Sequence, residues 1–320
     1  MFQLIADTLV YDWMALNASE HWVEALHFFI YDSLKIGFLV IFVISFMGVV
    51  NSYFPVDKVR DFLTNKKLYG LEHLLASGFG AITPFCSCSS IPLFIGFLKG
   101  GIPLGVTLSF LITSPLVNEV AVVLFLGIFG IKITIIYAVA GILVGAVVGF
   151  ALSKLGLEEH LEEWVKDQLK EKFRQAAIKD SRSFKQRIPE IKADAISTFK
   201  RIMPYVIGGV AIGGLMHGFI PAGYFEQYMG KGNYFAVPIS VLLAIPMYSS
   251  ASGVIPVIQS LVAKGIPIGT AMAFMMAVVG LSLPEALLLK RVMKLKLVAI
   301  YFGAVGISIV VLGYVFNFIL

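Results

Sequence analysis

The sequence predicts an all-α polytopic membrane protein built as two inverted-topology repeats, with interrupted helices and re-entrant hairpins at the membrane midplane. Three observations predict it. Hydrophobic residues make up 58% of the 320-residue chain and charged residues only 14%, against roughly 25% charged in a soluble domain. Prolines and polar breaks in the first half return at similar spacing in the second. Finally, the 25 Lys and Arg residues are distributed unevenly, and one threading places 21 of them on the same side of a bilayer.

Taken in order, residues 1–30 read as an N-terminal interfacial amphipathic helix, with Trp13, Trp22, Phe28 and Phe29 suited to the headgroup region. Ahead of Lys35 the chain holds no Lys or Arg but includes Asp7, Asp12, Glu20, Glu24 and Asp32. That is the reverse of a basic leader, so no cleavable signal is expected. Residues 31–153 form the first membrane repeat. Its first span, about 34–54, meets the ~20 residues a helix needs to cross. After a basic loop (Lys58, Arg60, Lys66, Lys67), Leu71 to Ile82 is apolar but too short to span. The break Thr83–Pro92 follows, then Ile91 to Leu98 and a Lys99-Gly100-Gly101 turn. Ile102 to Phe129 is long enough to cross but is interrupted at Thr113-Ser114-Pro115 and Asn118-Glu119, and Ile131 to Leu152 is a clean span.

Residues 154–201 form a charged linker with 12 basic and 9 acidic residues. Leu157, Leu161, Val165, Leu169 and Phe173 recur every four positions, the mark of an amphipathic helix. The second repeat occupies 202–320. Met203 to Pro221 matches the first span, Tyr234 to Ile245 is a short apolar piece, Tyr248 to Gly253 is a polar break, and Leu297 to Phe318 is the last span. Ile91-Pro92 through Ile102-Pro103-Leu104-Gly105 answers to Ile255-Pro256 through Ile266-Pro267-Ile268-Gly269, with the prolines 11 residues apart in both copies. Asn118-Glu119 is matched to Pro284-Glu285. The positive-inside rule places 58–67, Lys99, the central linker and Lys290–Lys296 in the cytoplasm of an inner-membrane protein. Equivalent spans then run in opposite directions, a hallmark of secondary transporters whose sites lie where broken helices meet.

The chemistry concentrates at these breaks. Cys86 and Cys88 are the chain's two cysteines, and Pro84 and Pro92 predict unwound backbone between them, on which alternate residues share a face. Ser87, Ser89, Asn118, Tyr248, Ser249 and Ser250 are the polar residues expected to line the same site. Glu119 and Glu285 are intramembrane carboxyls, each costing about 2.5–3.5 kcal/mol to insert, and are the candidates for proton coupling. Two cysteines exclude a disulfide framework or multi-cysteine zinc module, and a zinc ion would need Glu119, Glu285 or His217 as further ligands. No metal site, cofactor or nucleotide-binding loop is expected. The net charge of +5 sets orientation rather than nucleic-acid binding, and an enzyme is not expected.

Thr-Pro-Phe-Cys-Ser-Cys-Ser at 83–89, Ile-Pro-Leu-Phe-Ile-Gly at 91–96 and Ser-Pro-Leu-Val-Asn-Glu at 114–119 resemble the ArsP/YraQ-like permease family over nearly the whole chain. The resemblance implies export of a small molecule, with trivalent organoarsenicals such as methylarsenite as the substrate class of the ArsP branch. Alternatives are a soft divalent metal (zinc or copper), a small sulfur solute, or a membrane thiol oxidoreductase.

Overall fold

In a computed structural model, the residues described are 2–14, 70–83, 87–167, 233–247 and 265–320, with single positions through 16–45, 169–211 and 254–262. Most of the first span, most of Met203–Pro221 and the whole break Tyr248–Gly253 therefore lie outside the described residues. Regular structure among those described is helical, with one isolated antiparallel bridge between Leu161 and Met293. The chain is an all-α polytopic membrane protein: Phe125–Ser153, Ile268–Leu289 and Leu295–Ile319 are each long and apolar enough to cross a bilayer.

A short helix α1 (Phe2–Asp7) runs into a π-helical turn, Thr8–Trp13. There His27 Nε2 meets Asp7 Oδ1 at 2.7 Å and its ring stacks on Tyr11. Helix α2 (Leu71–Ile82) stops because Pro84 forces the residue before it out of helical geometry, and Thr83 is extended at ψ 128°. Helix α3 (Ser87–Lys99) ends at Gly100-Gly101, and α4 (Leu104–Leu116) starts directly after Pro103. Helix α5 (Glu119–Ser153) has one non-helical residue, Gly130, at φ 77° and ψ 173°. Such a conformation suits only glycine. It folds the 119–129 arm back along 131–153, and the Phe125 and Tyr137 rings stack with centroids 4.7 Å apart.

In the second half, α6 (Ala236–Ala244), α7 (Ile268–Gly280), α8 (Leu283–Leu289) and α9 (Leu295–Ile319) follow the same plan at a nearly constant offset, which α7 and the start of α8 keep to the residue. Helix α4 starts at 104 and α7 at 268; they end at 116 and 280. Asn118 caps α5 by accepting from the Ala121 N–H, and Ser282 caps α8 by accepting from the Glu285 N–H. These caps obey the offset and set the register. Asn118 stands opposite Ser282 and Glu119 opposite Leu283, whereas Glu285 answers to Ala121, two positions away from the Asn118-Glu119 match read from the sequence. The bend at Gly130 likewise answers to Lys294, the residue before α9.

Helix α4 is buried along its whole length and α7 nearly so, which places them at the centre. One stripe of α5 (Ile131, Ile135, Val139, Leu143, Val147) is exposed to lipid, whereas Gly141, Gly145, Gly149 and Ser153 face α4 and its neighbours. In lipid no hydrophobic force drives helices together, so small residues that let backbones approach supply the packing. A Cβ on Gly105 would overlap Ser153, and one on Gly269, its counterpart, would meet Asn317 N at 2.5 Å.

The start of the central linker clasps the second half. Glu162 N–H donates to Val292 O (2.9 Å), Lys294 N–H to His160 O (2.7 Å) and Trp164 Nε1–H to Arg291 O (2.9 Å). Lys294 Nζ also donates to Glu163 Oε1 at 2.8 Å. That bond, with help from Lys166, holds the Glu163 carboxyl below its ordinary 4.5, and Glu163 in turn raises Lys294 above 10.5. A carboxyl lowered on folding stabilises above its unfolded value and loses that contribution as pH falls through the folded one. Thermal melts of wild type and Glu163→Gln should therefore differ near neutrality, more at low salt, and converge as pH drops below 4.5.

Candidate functional site

Prolines inside helices build this region. In an α-helix each N–H bonds the carbonyl four residues back, and proline has no N–H to give. Pro92 in α3 therefore frees the Cys88 carbonyl, and Pro115 in α4 frees that of Leu111. The second vacancy is filled from the other half of the chain, where the buried Tyr301 hydroxyl donates to Leu111 O at 3.4 Å. Tyr137, which the offset between the halves pairs with Tyr301, donates to the terminal carbonyl of α4 at Leu116. Two buried tyrosines at matching positions thus satisfy backbone at the end of one central helix.

Contacts draw the breaks together. Ser90 and Ser114 share a hydrogen bond at 2.9 Å, which joins the first turn of α3 to the end of α4. Leu283 N–H donates to Ile245 O at 2.7 Å, joining the end of α6 to the start of α8. Across the halves, α8 packs on α3, and a Cβ on Gly280 would lie 2.9 Å from Leu116 Cδ2.

Of the residues singled out from sequence, Cys86, Tyr248, Ser249 and Ser250 lie outside the described residues, as do the side chains of Ser87, Cys88, Ser89 and Glu119. Helix α3 begins at Ser87, so Cys88 sits in its first turn rather than on the unwound backbone expected. The reason is that Pro92 comes after the first turn of the helix, where it removes one hydrogen bond without stopping the turn before it. Asn118 spends its side-chain oxygen on the cap of α5, at 2.8 Å from Ala121 N. Glu285 is 1% exposed, in the first turn of α8 and within electrostatic reach of Tyr301. A carboxyl in that first turn faces the positive end of the helix dipole. A cavity of about 490 Å³ opens elsewhere, between the Leu98–Leu104 turn and Glu158–Leu169, and none of these residues lines it.

Several residues of this region stand outside the sequence reading. Tyr137 and Tyr301 become visible when the offset between the halves is applied to every residue type rather than to prolines and acids. The Gly141–Ser153 stripe is legible as small residues at four-residue intervals. His73, Ser77, Ser109 and Thr113, all buried, carry no motif.

A family profile of the ArsP type, described as "Predicted permease", matches residues 21–318. The chain belongs to this permease family. A UPF0718 protein of Methanocaldococcus jannaschii is 21% identical over 314 residues, covering 82% of this chain and 86% of the relative. A Streptococcus mutans protein named "Putative two-component membrane permease complex subunit" is 22% identical over 299 residues, covering 90% of each. No solved structure matches the permease at a significant level. Family and apolar helices together make the chain an integral membrane permease acting on a small molecule.

Proposed function

We propose that this permease exports trivalent organoarsenicals of the methylarsenite type across the inner membrane, with the 154–201 linker in the cytoplasm. The observation that carries the reading is the Cys86-Ser87-Cys88 motif of the sequence together with the bond that ties α3, two residues beyond Cys88, to the end of α4 through Ser90–Ser114. An arsenical with one carbon substituent has two exchangeable hydroxyls. Two thiols replace them, two As–S bonds form and two waters leave. The adduct is neutral, which suits a low-dielectric site, whereas a divalent metal would require thiolates and release protons.

Inverted topology of the two halves is part of the proposal. It is supported by the nearly constant offset between the helix bounds of the halves, by the matched tyrosines and by the meeting of the α4 and α7 C-terminal ends. Glu119 and Glu285 are assigned to proton coupling, since one proton moving down 100 mV supplies about 2.3 kcal/mol, or a concentration ratio of roughly 50-fold.

The test is resistance of an export-deficient host to methylarsenite, arsenite, copper and zinc. Expression of the permease should protect against methylarsenite first. Protection against zinc or copper alone would replace the arsenical with a soft metal. Glu119→Gln or a protonophore should collapse uphill export, and export unaffected by either would remove proton coupling.

A further inference from the structure

The first half carries a buried polar seam that its counterpart lacks. His73 in α2 is 4% exposed, and its Nδ1 lies 2.9 Å from Ser109 Oγ in α4. One turn further along, Ser77 Oγ and Thr113 Oγ1 are 2.6 Å apart, and Ser77 also donates to Ile142 O. Next on α4 comes Ser114, bonded to Ser90 beside the cysteine segment. At the equivalent positions of the second half stand Val237, Val241, Ala273 and Ala277, all buried. The same scaffold therefore packs with aliphatic residues, and packing alone does not require an imidazole and three hydroxyls.

With Ser109 donating to the Gly105 carbonyl at 3.2 Å, its oxygen accepts from the ring, the arrangement that forms both bonds and puts a proton on Nδ1. The lone pair is then on Nε2, and Nε2 lies 4.0 Å from Glu72 Oε1. Burial disfavours a second proton on the ring, and the carboxylate facing that lone pair works against the burial by supplying a counter-charge. The other charge nearby among the described residues is Lys154, whose Nζ lies 4.4 Å from the centre of the Phe150 ring; that ring meets His73 edge-on at 5.5 Å.

We propose that His73, oriented by Ser109 and opposed by Glu72, is a proton-binding site of the permease, from which the Ser77–Thr113 pair continues the polar seam towards Ser114 and Ser90. A proton from the Lys154 end of the bundle forms the Nε2–H bond, Glu72 balances the imidazolium, and reversal returns the proton. The assignment rests on the transport reading above for its purpose, but not for its test.

Two measurements on the full chain test it. In detergent, the ring carbons of the five histidines are followed by NMR, with the His73 signal identified by its loss in His73→Gln. His73 should titrate reversibly between about pH 5 and 8, and Glu72→Gln should move the midpoint to lower pH. A His73 signal constant over that range overturns the proposal, whatever the substrate. In vesicles carrying a trapped pH dye, His73→Gln should cut methylarsenite-driven proton movement at least tenfold while exchange of methylarsenite at equal concentrations persists. Wild-type proton movement in that variant overturns it too. If wild type does not carry methylarsenite, the substrate reading falls and the titration decides His73 alone.

Discussion

Replacing either Cys86 or Cys88 with serine is expected to lower methylarsenite resistance by roughly 10²-fold or more in apparent affinity, because the second As–S bond of a dithiol adduct forms intramolecularly. Serine keeps the volume and the hydrogen bonding but exchanges with arsenic only as an alkoxide-forming hydroxyl, a hard ligand for a soft centre. Each single variant should therefore resemble the double variant rather than half of it. The check is growth of the export-deficient host over a methylarsenite series, with permease abundance in membranes measured in parallel. Full resistance in the double variant would refute thiol coordination and leave the permease assignment intact. The serine pair nearby does not rescue: Ser90 is already bonded to Ser114.

A Gly145→Val permease is expected to lose most of its folded population. A Cβ there would overlap Thr113 Oγ1 and stand 2.8 Å from Ser77 Oγ and 3.1 Å from Ser109 O. The obstruction includes backbone, so rotamer changes cannot relieve it, and α5 must move away from both α2 and α4. Overpacking a tight core costs about 1–3 kcal/mol, and three elements sharing one seam put this site at or above the upper end. Gly303→Val is the control, since a Cβ at Gly303 meets nothing within 4 Å. Thermal unfolding of the purified variants should show a large drop for Gly145→Val and little change for Gly303→Val. Equal stability of the two would mean that the α2–α4–α5 seam is looser than its contacts imply.

Much of the fold is legible in the sequence because it is written in properties that run along the chain. Pro84, Pro103 and Pro267 announce helix boundaries locally, and the structure places starts or stops beside each. The break after α4 is visible as Asn118-Glu119, and the 11-residue proline spacing points to the second copy. The register of the acidic residues is not legible, because Glu119 and Glu285 stand out by their cost in lipid rather than by position. The matching positions are set instead by the caps, Asn118 and Ser282. Cys88 departs from unwound backbone for a related reason. A proline downstream of a first helical turn does not end that turn; it only removes a carbonyl's partner.

The sequence by itself determined that this is a polytopic helical membrane permease with broken helices. Hydropathy, charge placement and proline position constrain each segment without reference to any other. Only the tertiary structure decided which breaks meet and which polar residues are buried together. Tyr301 satisfies a carbonyl 190 residues away, and His73 and Ser109 touch across 36 residues. Such pairings depend on how closely helices approach, which is set by glycines such as Gly145 and Gly149 in contact with side chains of other helices. In lipid those contacts, and not hydrophobicity, hold the helices in one arrangement.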